Sequence, residues 1–415
     1  MQNKTASKQI KPSKKNLCIV TTTRAEYGLL RPVIRHTLNS DIFNLQLVVS
    51  GTHLLRSKGY TIEEIISDQF PITAQIEMFD EGAHNPILGT AGTPEIQGTP
   101  EIPGISYIST STIVGRACEK FSQLFARLQP DLVLILGDRF ELMSIAIPAY
   151  LAAIPIVHLC GGDLTLGAID DSIRHAVTKL ATFQFVNNAD SEKRVLQLGE
   201  PRHNVFNVGH TAIDNVEELK LLTASELEDD LNIKFQEKNI LMTFHPVTRA
   251  KDFGVELLKN IFQVLKQFQN FGIFITRPNI DEGHAAINTL IDSFIEQHPH
   301  AKVFNSLGTK KYFSLMTQVD IVLGNSSSGL MEAPHFKIPT IDVGDREEGR
   351  PRGNSIIHCE GDISSLQTAF DKALNFSEKN IINPYGNGMA GKNIIATLEK
   401  VILQRIPRKK EFVDL

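Results

Sequence analysis

No two cysteines of this chain form a CxxC pair: Cys18, Cys118, Cys160 and Cys359 are spread along the sequence. That spacing suggests neither a disulfide framework nor a thiolate zinc site, so the four read as reduced thiols of a cytoplasmic protein. A long apolar run is missing as well. Residues 1–15 hold five lysines, but the apolar stretch that follows, Leu17 to Val20, stops at Thr21-Thr22-Thr23-Arg24. It is too short for a signal peptide or a membrane span, and Met1 to Lys15 is expected to be a disordered polar leader. Nor is there an excess of one charge. The formal net charge of -5 and a pI near 6.2 give no long-range pull toward nucleic acid or an anionic membrane. A small anionic ligand stays open, because a few local donors decide that matter.

Familiar nucleotide and metal signatures are absent too. The first apolar stretch leads into Thr21-Thr-Thr-Arg-Ala-Glu-Tyr-Gly28 rather than GxGxxG, which disfavours a nicotinamide oxidoreductase. No GxxxxGK[ST] occurs, which removes the ordinary P-loop kinase or ATPase. No HxxxH pair or compact histidine–carboxylate cluster points to a metal.

What is present is length and a repeating pattern. The 415 residues, 42% of them hydrophobic, exceed one ordinary core, so two domains are expected. Buried-strand runs alternate with helical periodicity: a strand at Leu17–Val20, a helix from about Glu26 to Leu38, and a strand at Leu45–Ser50 ending at Gly51-Thr52-His53. The stretch Phe79 to Gly104, rich in glycine and proline, reads as a long loop or a broken helix start. Beyond it the pattern predicts a helix at Ser111–Leu128, a strand at Asp131–Leu136 closed by Gly137-Asp138-Arg139, and a helix at Glu141–Leu151. A strand at Pro155–Cys160, a helix at Asp170–Leu180, a strand at Phe183–Asn187 and a helix at Ser191–Leu198 complete one doubly wound α/β domain. The charged stretch Glu217 to Lys238 separates the halves. Strands then recur at Ile240–Phe244, Phe271–Thr276, Ala301–Phe304, Val319–Leu323 and Thr340–Val343, with helices at Val255–Phe268, Ala285–Gln297 and Tyr312–Thr317. The expected divisions are a leader at 1–15, Rossmann-like domains at 16–205 and 206–385, and a last helix and tail at 386–415 that could pack back on the first domain. Arg408-Lys409-Lys410 reads as a solvated end.

In open parallel sheets ligands bind beyond the carboxyl ends of the strands, and two such domains facing each other would form a cleft there. Nearly every unusual polar residue is predicted at such an end. Gly324-Asn-Ser326-Ser327-Ser328-Gly329 suits phosphate binding, since small residues admit a ligand close to the backbone and a helix start favours negative charge; the alternative is a serine-rich turn with an N-cap. Glu332 could accept from ribose hydroxyls or be a surface carboxylate. Arg24 could reach a diphosphate or hold a carboxylate. The loop Gly344 to Gly353, with Arg346, Arg350 and Arg352, looks ligand-gripping, and Arg277 ends another strand. Asp138 is a candidate acid–base group or an N-cap, and Asp163 follows Gly161-Gly162. Asp170 and Arg174 share one face at i,i+4, as do Asp171 and His175, while Asp171 and Arg174 are paired at i,i+3. His245, before Pro246, is a catalytic imidazole, a phosphate contact or a core-edge histidine; His53 has the same placement in the first half.

Together these residues resemble the hydrolysing UDP-N-acetylglucosamine 2-epimerases, in the branch of sialic acid and legionaminic acid synthesis. The matching segments are Thr23–Gly28, Gly51–His53, Leu136–Glu141, Gly161–Asp163 with Ile169–His175, Phe244–Pro246, Gly324–Gly329 and Gly344–Arg346. The resemblance implies two Rossmann-like domains of the glycosyltransferase-B type, no metal or other cofactor, a UDP-sugar substrate and a homodimer. It places Arg24, Ser326, Ser327 and Glu332 around the nucleotide, and Asp138, Asp170, Arg174 and His245 around the sugar and leaving group. The activity implied is conversion of UDP-N-acetylglucosamine to N-acetylmannosamine and UDP through a 2-acetamidoglycal; the alternative is the same reaction on a UDP- or GDP-linked 2,4-diacetamido-2,4,6-trideoxyglucose. A sugar transferase and a non-catalytic sensor are the competing classes. Many relatives carry a glutamate where this chain has Cys160, which at its ordinary pKa cannot serve as a carboxylate base.

Overall fold

A computed structural model describes residues 13–79, 107–164, 169–217, 219–247, 250–278, 284–377, 379–404 and 410–414. The leader before residue 13, the glycine- and proline-rich stretch from residue 80 to Gly104, and Arg408-Lys409 lie outside them. The chain forms two compact units, Met1–Thr211 with Gly391–Leu415, and Ala212–Ala390.

The first unit runs β1 (Lys15–Thr21), α1 (Arg24–Leu38), β2 (Phe43–Ser50), α2 (Ile62–Ser67), β3 (Ile72–Ile76), α3 (Tyr107–Leu128) and β4 (Leu132–Leu136). It continues with α4 (Met143–Leu151), β5 (Ile156–Leu159), α5 (Ile169–Leu180), β6 (Phe183–Val186), α6 (Ala189–Gln197) and β7 (Val205–Asn207). The strands form one parallel sheet in the order β3-β2-β1-β4-β5-β6-β7. Lys15, assigned to the leader from sequence, instead opens β1: its amide bonds Ile42 O at 2.8 Å and its ammonium pairs with Asp131 at 2.9 Å.

The second unit carries α7 (Thr211–Glu217), α8 (Ala224–Leu231), β8 (Asn239–Thr243), α9 (Val255–Leu265), β9 (Gly272–Thr276), α10 (His284–Ile295), β10 (Ala301–Phe304) and α11 (Gly308–Met316). After these come β11 (Ile321–Gly324), α12 (Ser327–Met331), β12 (Thr340–Val343), β13 (Ile356–Cys359) and α13 (Ile363–Leu374). Its parallel sheet has the order β10-β9-β8-β11-β12-β13. The charged stretch read as a separator holds α8, closed by a capping box in which Thr223 and Glu226 exchange backbone and side-chain bonds. Leu227 on its inner face is fully buried.

The central strands read as unbroken apolar runs because both faces are covered. Leu17 and Ile19 of β1 enter one core, with Leu132 and Leu134 of β4; Cys18 and Val20 enter the other, with Val133 and Ile135. A final helix, α14 (Ala390–Ile402), adds Ile394, Ile395 and Leu398 to the core holding Leu17. Such side chains contribute about 2 kcal/mol each when fully buried. No helix among the described residues is long and apolar enough to cross a membrane.

Lys410, expected in a solvated end, is drawn in. Its ammonium donates to the carbonyls of Thr178, Lys179 and Ala181 at 2.9, 3.0 and 2.8 Å, at the end of α5, and pairs with the buried Glu200. The carbonyls at a helix end need donors from outside the helix, and Lys410 shares this task with Gln184, whose Nε2 donates to Thr178 O at 2.8 Å, and shares Glu200 with Lys179 at 2.7 Å. Val413 N bonds Gly199 O at 3.0 Å beside it. Lys410→Met is expected to lower the unfolding free energy by about 2 kcal/mol in urea titration, the cost of leaving one buried Glu200 oxygen without its donor while Lys179 stays at 2.7 Å from the other; a loss of under about 0.5 kcal/mol is what a surface contact gives.

Candidate active site

Each sheet reverses its strand order once, between β1 and β4 and between β8 and β11. At such a point the outgoing loops diverge and leave a crevice at the carboxyl ends.

In the first unit β1 ends at Thr21 and α1 is capped by Thr23, whose hydroxyl accepts from Glu26 N at 3.3 Å. The Glu26 carboxylate turns back to the Thr22 amide and hydroxyl at 2.8 and 2.7 Å. β2 passes close by: Thr52 N bonds Thr22 O at 2.8 Å, and a Cβ on Gly51 would lie 2.4 Å from that oxygen. Arg24 is exposed and pairs with Glu64 at 2.7 Å. His53 is fully buried, its ring nitrogens held by Thr21 at 3.0 Å and Thr61 at 2.8 Å. Both ring nitrogens are engaged within the unit, and they brace β1 against Thr61 at the start of α2.

After β4, Asp138 forms an ion pair with Arg174 of α5, which also donates to the Asp163 carbonyl. Asp171 stands 3.9 Å from Arg174 and 3.6 Å from His175. The Asp163 carboxylate accepts from Asn187 and Ser191, each at 2.6 Å. Asp163 therefore ties β5 to β6 and α6. Asp170, expected to act with Arg174, lies in the field of Arg139. Burial works against the Arg139 charge, but Glu141, Glu26 and Asp170 outweigh it and hold its pKa above the ordinary arginine value. Cys160 has a left-handed backbone, φ 65°, and burial pushes its thiol up to about 12, so it is a neutral thiol.

In the second unit the Asn325 side chain pairs with the His245 backbone as a peptide would, accepting from N at 2.7 Å and donating to O at 2.9 Å. Gly324, at φ 133°, lies so near Thr243 that a Cβ would fall 2.0 Å from its carbonyl oxygen. Ser326 is the N-cap of α12, yet its side chain makes no capping bond. Ser326, Ser327 and Ser328 are half-buried and Gly329 is buried. Arg346 donates to Asn325 O at 3.0 Å and pairs with Glu347 at 2.7 Å, which joins the basic loop to the serine turn. Burial pushes the Glu332 carboxyl up to about 7, with Ser328 pulling it down. Arg277 turns to α10, donating to Asn288 at 3.1 Å and pairing with Asp292. It is not brought to the serine turn.

The first unit thus gathers Asp138, Asp163, Arg174 and, through Arg139, Asp170; the second gathers His245, the serine turn and Arg346. Sequence reasoning missed Glu26, Arg139, Glu141 and Asn325. A Thr followed three residues later by Glu, as at Thr23 and Glu26, was a readable capping signal; the others lie inside the segments Leu136–Glu141 and Gly324–Gly329, whose neighbours drew the attention.

Tandem Rossmann-like domains, each with polar groups at its switch point, define an α/β enzyme of the glycosyltransferase-B-like, nucleotide-handling class. The profile of the UDP-N-acetylglucosamine 2-epimerase family matches residues 103–399. Over 361 residues the chain is 38% identical to the GDP/UDP-N,N'-diacetylbacillosamine 2-epimerase (hydrolyzing) of Campylobacter jejuni, covering 87% of this chain and 88% of that protein. It is 30% identical to the UDP-N,N'-diacetylbacillosamine 2-epimerase (hydrolyzing) of Legionella pneumophila, covering 94% and 97%. A crystal structure of the Neisseria meningitidis UDP-GlcNAc 2-epimerase bound to UDP-GlcNAc superposes with a TM-score of 0.72 at 20% identity, covering 93% of this chain and 100% of that one, and shares the fold. The chain belongs to the UDP-N-acetylglucosamine 2-epimerase family and is a hydrolysing nucleotide-sugar epimerase.

Burial lowers His53 from 6.5 to about 4 and His158 likewise to about 4. Between those values the unfolded chain binds more protons than the folded one. Their contribution to stability is complete above about 6.5 and is lost as pH falls toward 4. Thermal unfolding across that window is expected to show Tm falling with pH, with a shallower fall in His53→Gln; an identical slope in the variant contradicts a buried neutral His53.

Proposed function

We propose that the enzyme acts on a nucleotide-linked 2,4-diacetamido-2,4,6-trideoxyglucose and water, releasing the nucleoside diphosphate and the free 2-epimer, 2,4-diacetamido-2,4,6-trideoxymannose. The 38% identity to the C. jejuni diacetylbacillosamine enzyme carries this choice, and the L. pneumophila relative agrees with it. UDP-N-acetylglucosamine with N-acetylmannosamine as product, the main expectation from sequence, has weaker support: the N. meningitidis serogroup B UDP-N-acetylglucosamine 2-epimerase is 27% identical.

The chemistry follows from acidity. The C2 hydrogen is too weakly acidic to leave first, so the C1–O bond breaks with its electron pair going to the diphosphate, and charge stabilisation at the ring carries much of the barrier. A base takes the C2 proton, a C1=C2 double bond forms, and water then adds at C1 while a proton returns to the opposite face of C2. In this proposal Ser326, Ser327, Ser328 and Gly329 hold phosphate oxygens with Arg346 behind them. Glu332 meets the ribose, Arg24 the diphosphate, and His245 steadies the leaving group. Asp138 and Asp170 handle the C2 proton or the developing ring cation, with Arg174 fixing Asp138.

Product NMR in deuterated water, with the UDP- and GDP-linked diacetamido sugars and with UDP-N-acetylglucosamine, tests the reading. The expected result is faster release from a diacetamido substrate, with deuterium at C2 of the free sugar. Asp138→Asn is expected to lose turnover by about 100-fold or more while keeping nucleotide binding. Product without deuterium, or a preference for UDP-N-acetylglucosamine, overturns it.

A further inference from the structure

Two residues of α5 reach the turn that follows β4, one of them through a buried histidine that the proposed mechanism does not use. Arg174 pairs with the Asp138 side chain directly. Thr178, four residues further along the helix and so on the same face, touches the turn through His158 of β5. His158 is fully buried, with its Nε2 2.8 Å from the Gly137 carbonyl oxygen and its Nδ1 3.2 Å from the Thr178 hydroxyl. A carbonyl oxygen only accepts, so Nε2 carries a proton. Burial holds the ring's pKa down at about 4, which keeps the imidazole neutral near neutral pH. Nδ1 is then an acceptor, and the Thr178 hydroxyl donates to it. The other tautomer would offer Nδ1–H to Gln184, but would set the Nε2 lone pair against the Gly137 oxygen. Gly137 leaves β4 with φ 97°, and its amide donates to Leu159 O at 3.1 Å. Both backbone polar groups of the residue before Asp138 are therefore held by β5. Gly161 closes the junction, since a Cβ there would lie 3.2 Å from Thr178 Oγ1 and 3.4 Å from His158 Nδ1.

We propose that His158 is a positioning residue for Asp138, its ring held as the Nε2–H tautomer between the Gly137 carbonyl and the Thr178 hydroxyl so that the turn carrying the Asp138 carboxylate stays in one place. The tautomer and its hydrogen bonds stand on the local geometry; the consequence for turnover rests on the proposed function, in which Asp138 handles the C2 proton or the ring cation. Helix α5 then grips this turn twice. Arg174 fixes the carboxylate, and Thr178, through the ring, fixes the peptide before it. Without the ring, Asp138 stands on a glycine in the left-handed region with its carbonyl untethered, and only the Arg174 pair orients the carboxylate.

Nitrogen NMR of the full chain, isotope-labelled at histidine, tests the tether without substrate. The wild type is expected to show one ring, missing from the His158→Gln spectrum, with Nε2 in the protonated range and Nδ1 in the unprotonated range at neutral pH. Thr178→Val is expected to shift that Nδ1 further toward the unbonded value. The reverse tautomer, two protonated nitrogens, or an Nδ1 unmoved in Thr178→Val overturns the tether. In turnover of the nucleotide-sugar, His158→Leu is expected to lower kcat by about 10-fold or more, the cost of a misplaced group. KM changes little, because the serine turn proposed to hold the nucleotide is untouched. His158→Gln, whose amide nitrogen can replace Nε2–H, keeps most of kcat. Thermal melting checks that each variant is folded at the assay temperature; if His158→Leu is not, the near-isosteric Thr178→Val decides, with a lower kcat at unchanged KM expected and an unchanged kcat overturning the role. Equal losses in His158→Leu and His158→Gln also overturn it. Turnover lost in Asp138→Asn but kept in His158→Leu refutes the positioning role alone, whereas full turnover in Asp138→Asn refutes the proposed use of Asp138 and the positioning role with it.

Discussion

The reversal of strand order is the constraint from which the rest of each domain follows. Where β1 meets β4, and β8 meets β11, the outgoing chains part, and backbone groups at the strand ends lose their ladder partners. Side chains take the ladder's place. Glu26 receives the Thr22 amide, and Asn325 exchanges two bonds with the His245 backbone. Both domains therefore close their switch points with a surrogate for peptide hydrogen bonding, and the residues proposed to meet substrate are mounted on those closures.

The central strands were legible because burial on both faces writes them as apolar runs, and their polar ends were legible by position. The strands that escaped notice, β3, β7 and β13, lie at sheet edges, where one side lacks a neighbour and the sequence has no apolar run. Helix α8 hid in a charged stretch because a single buried leucine anchors it. Spacing along one helix placed Arg174 with Asp170 and Asp171, and Asp171 does stand 3.9 Å from it, but the arginine also pairs with Asp138, 36 residues away, a partnership that no periodicity encodes. His53 and Arg277 looked available for the same reason: their partners, Thr21 and Thr61, Asn288 and Asp292, are set by packing.

Burial keeps the Cys160 thiol neutral, and the Asp163 carboxylate accepts from both Asn187 and Ser191. This narrows the proposal for the C2 proton to Asp138 and Asp170. The Arg139 guanidinium, bonded to the buried Glu141 at 2.8 Å, lies in the field of Asp170 as well.

The return of α14 to the first domain bears on how the chain is made. Residues Ile394, Ile395 and Leu398 finish a core that begins at Leu17, while the second domain is continuous between them. On the ribosome the earlier-made domain must wait with a bare apolar strip until those residues emerge, and the later-made one can close first. Nascent chains that stall after residue 211 would present that strip to chaperones, so the order of birth and the order of completion run in opposite directions.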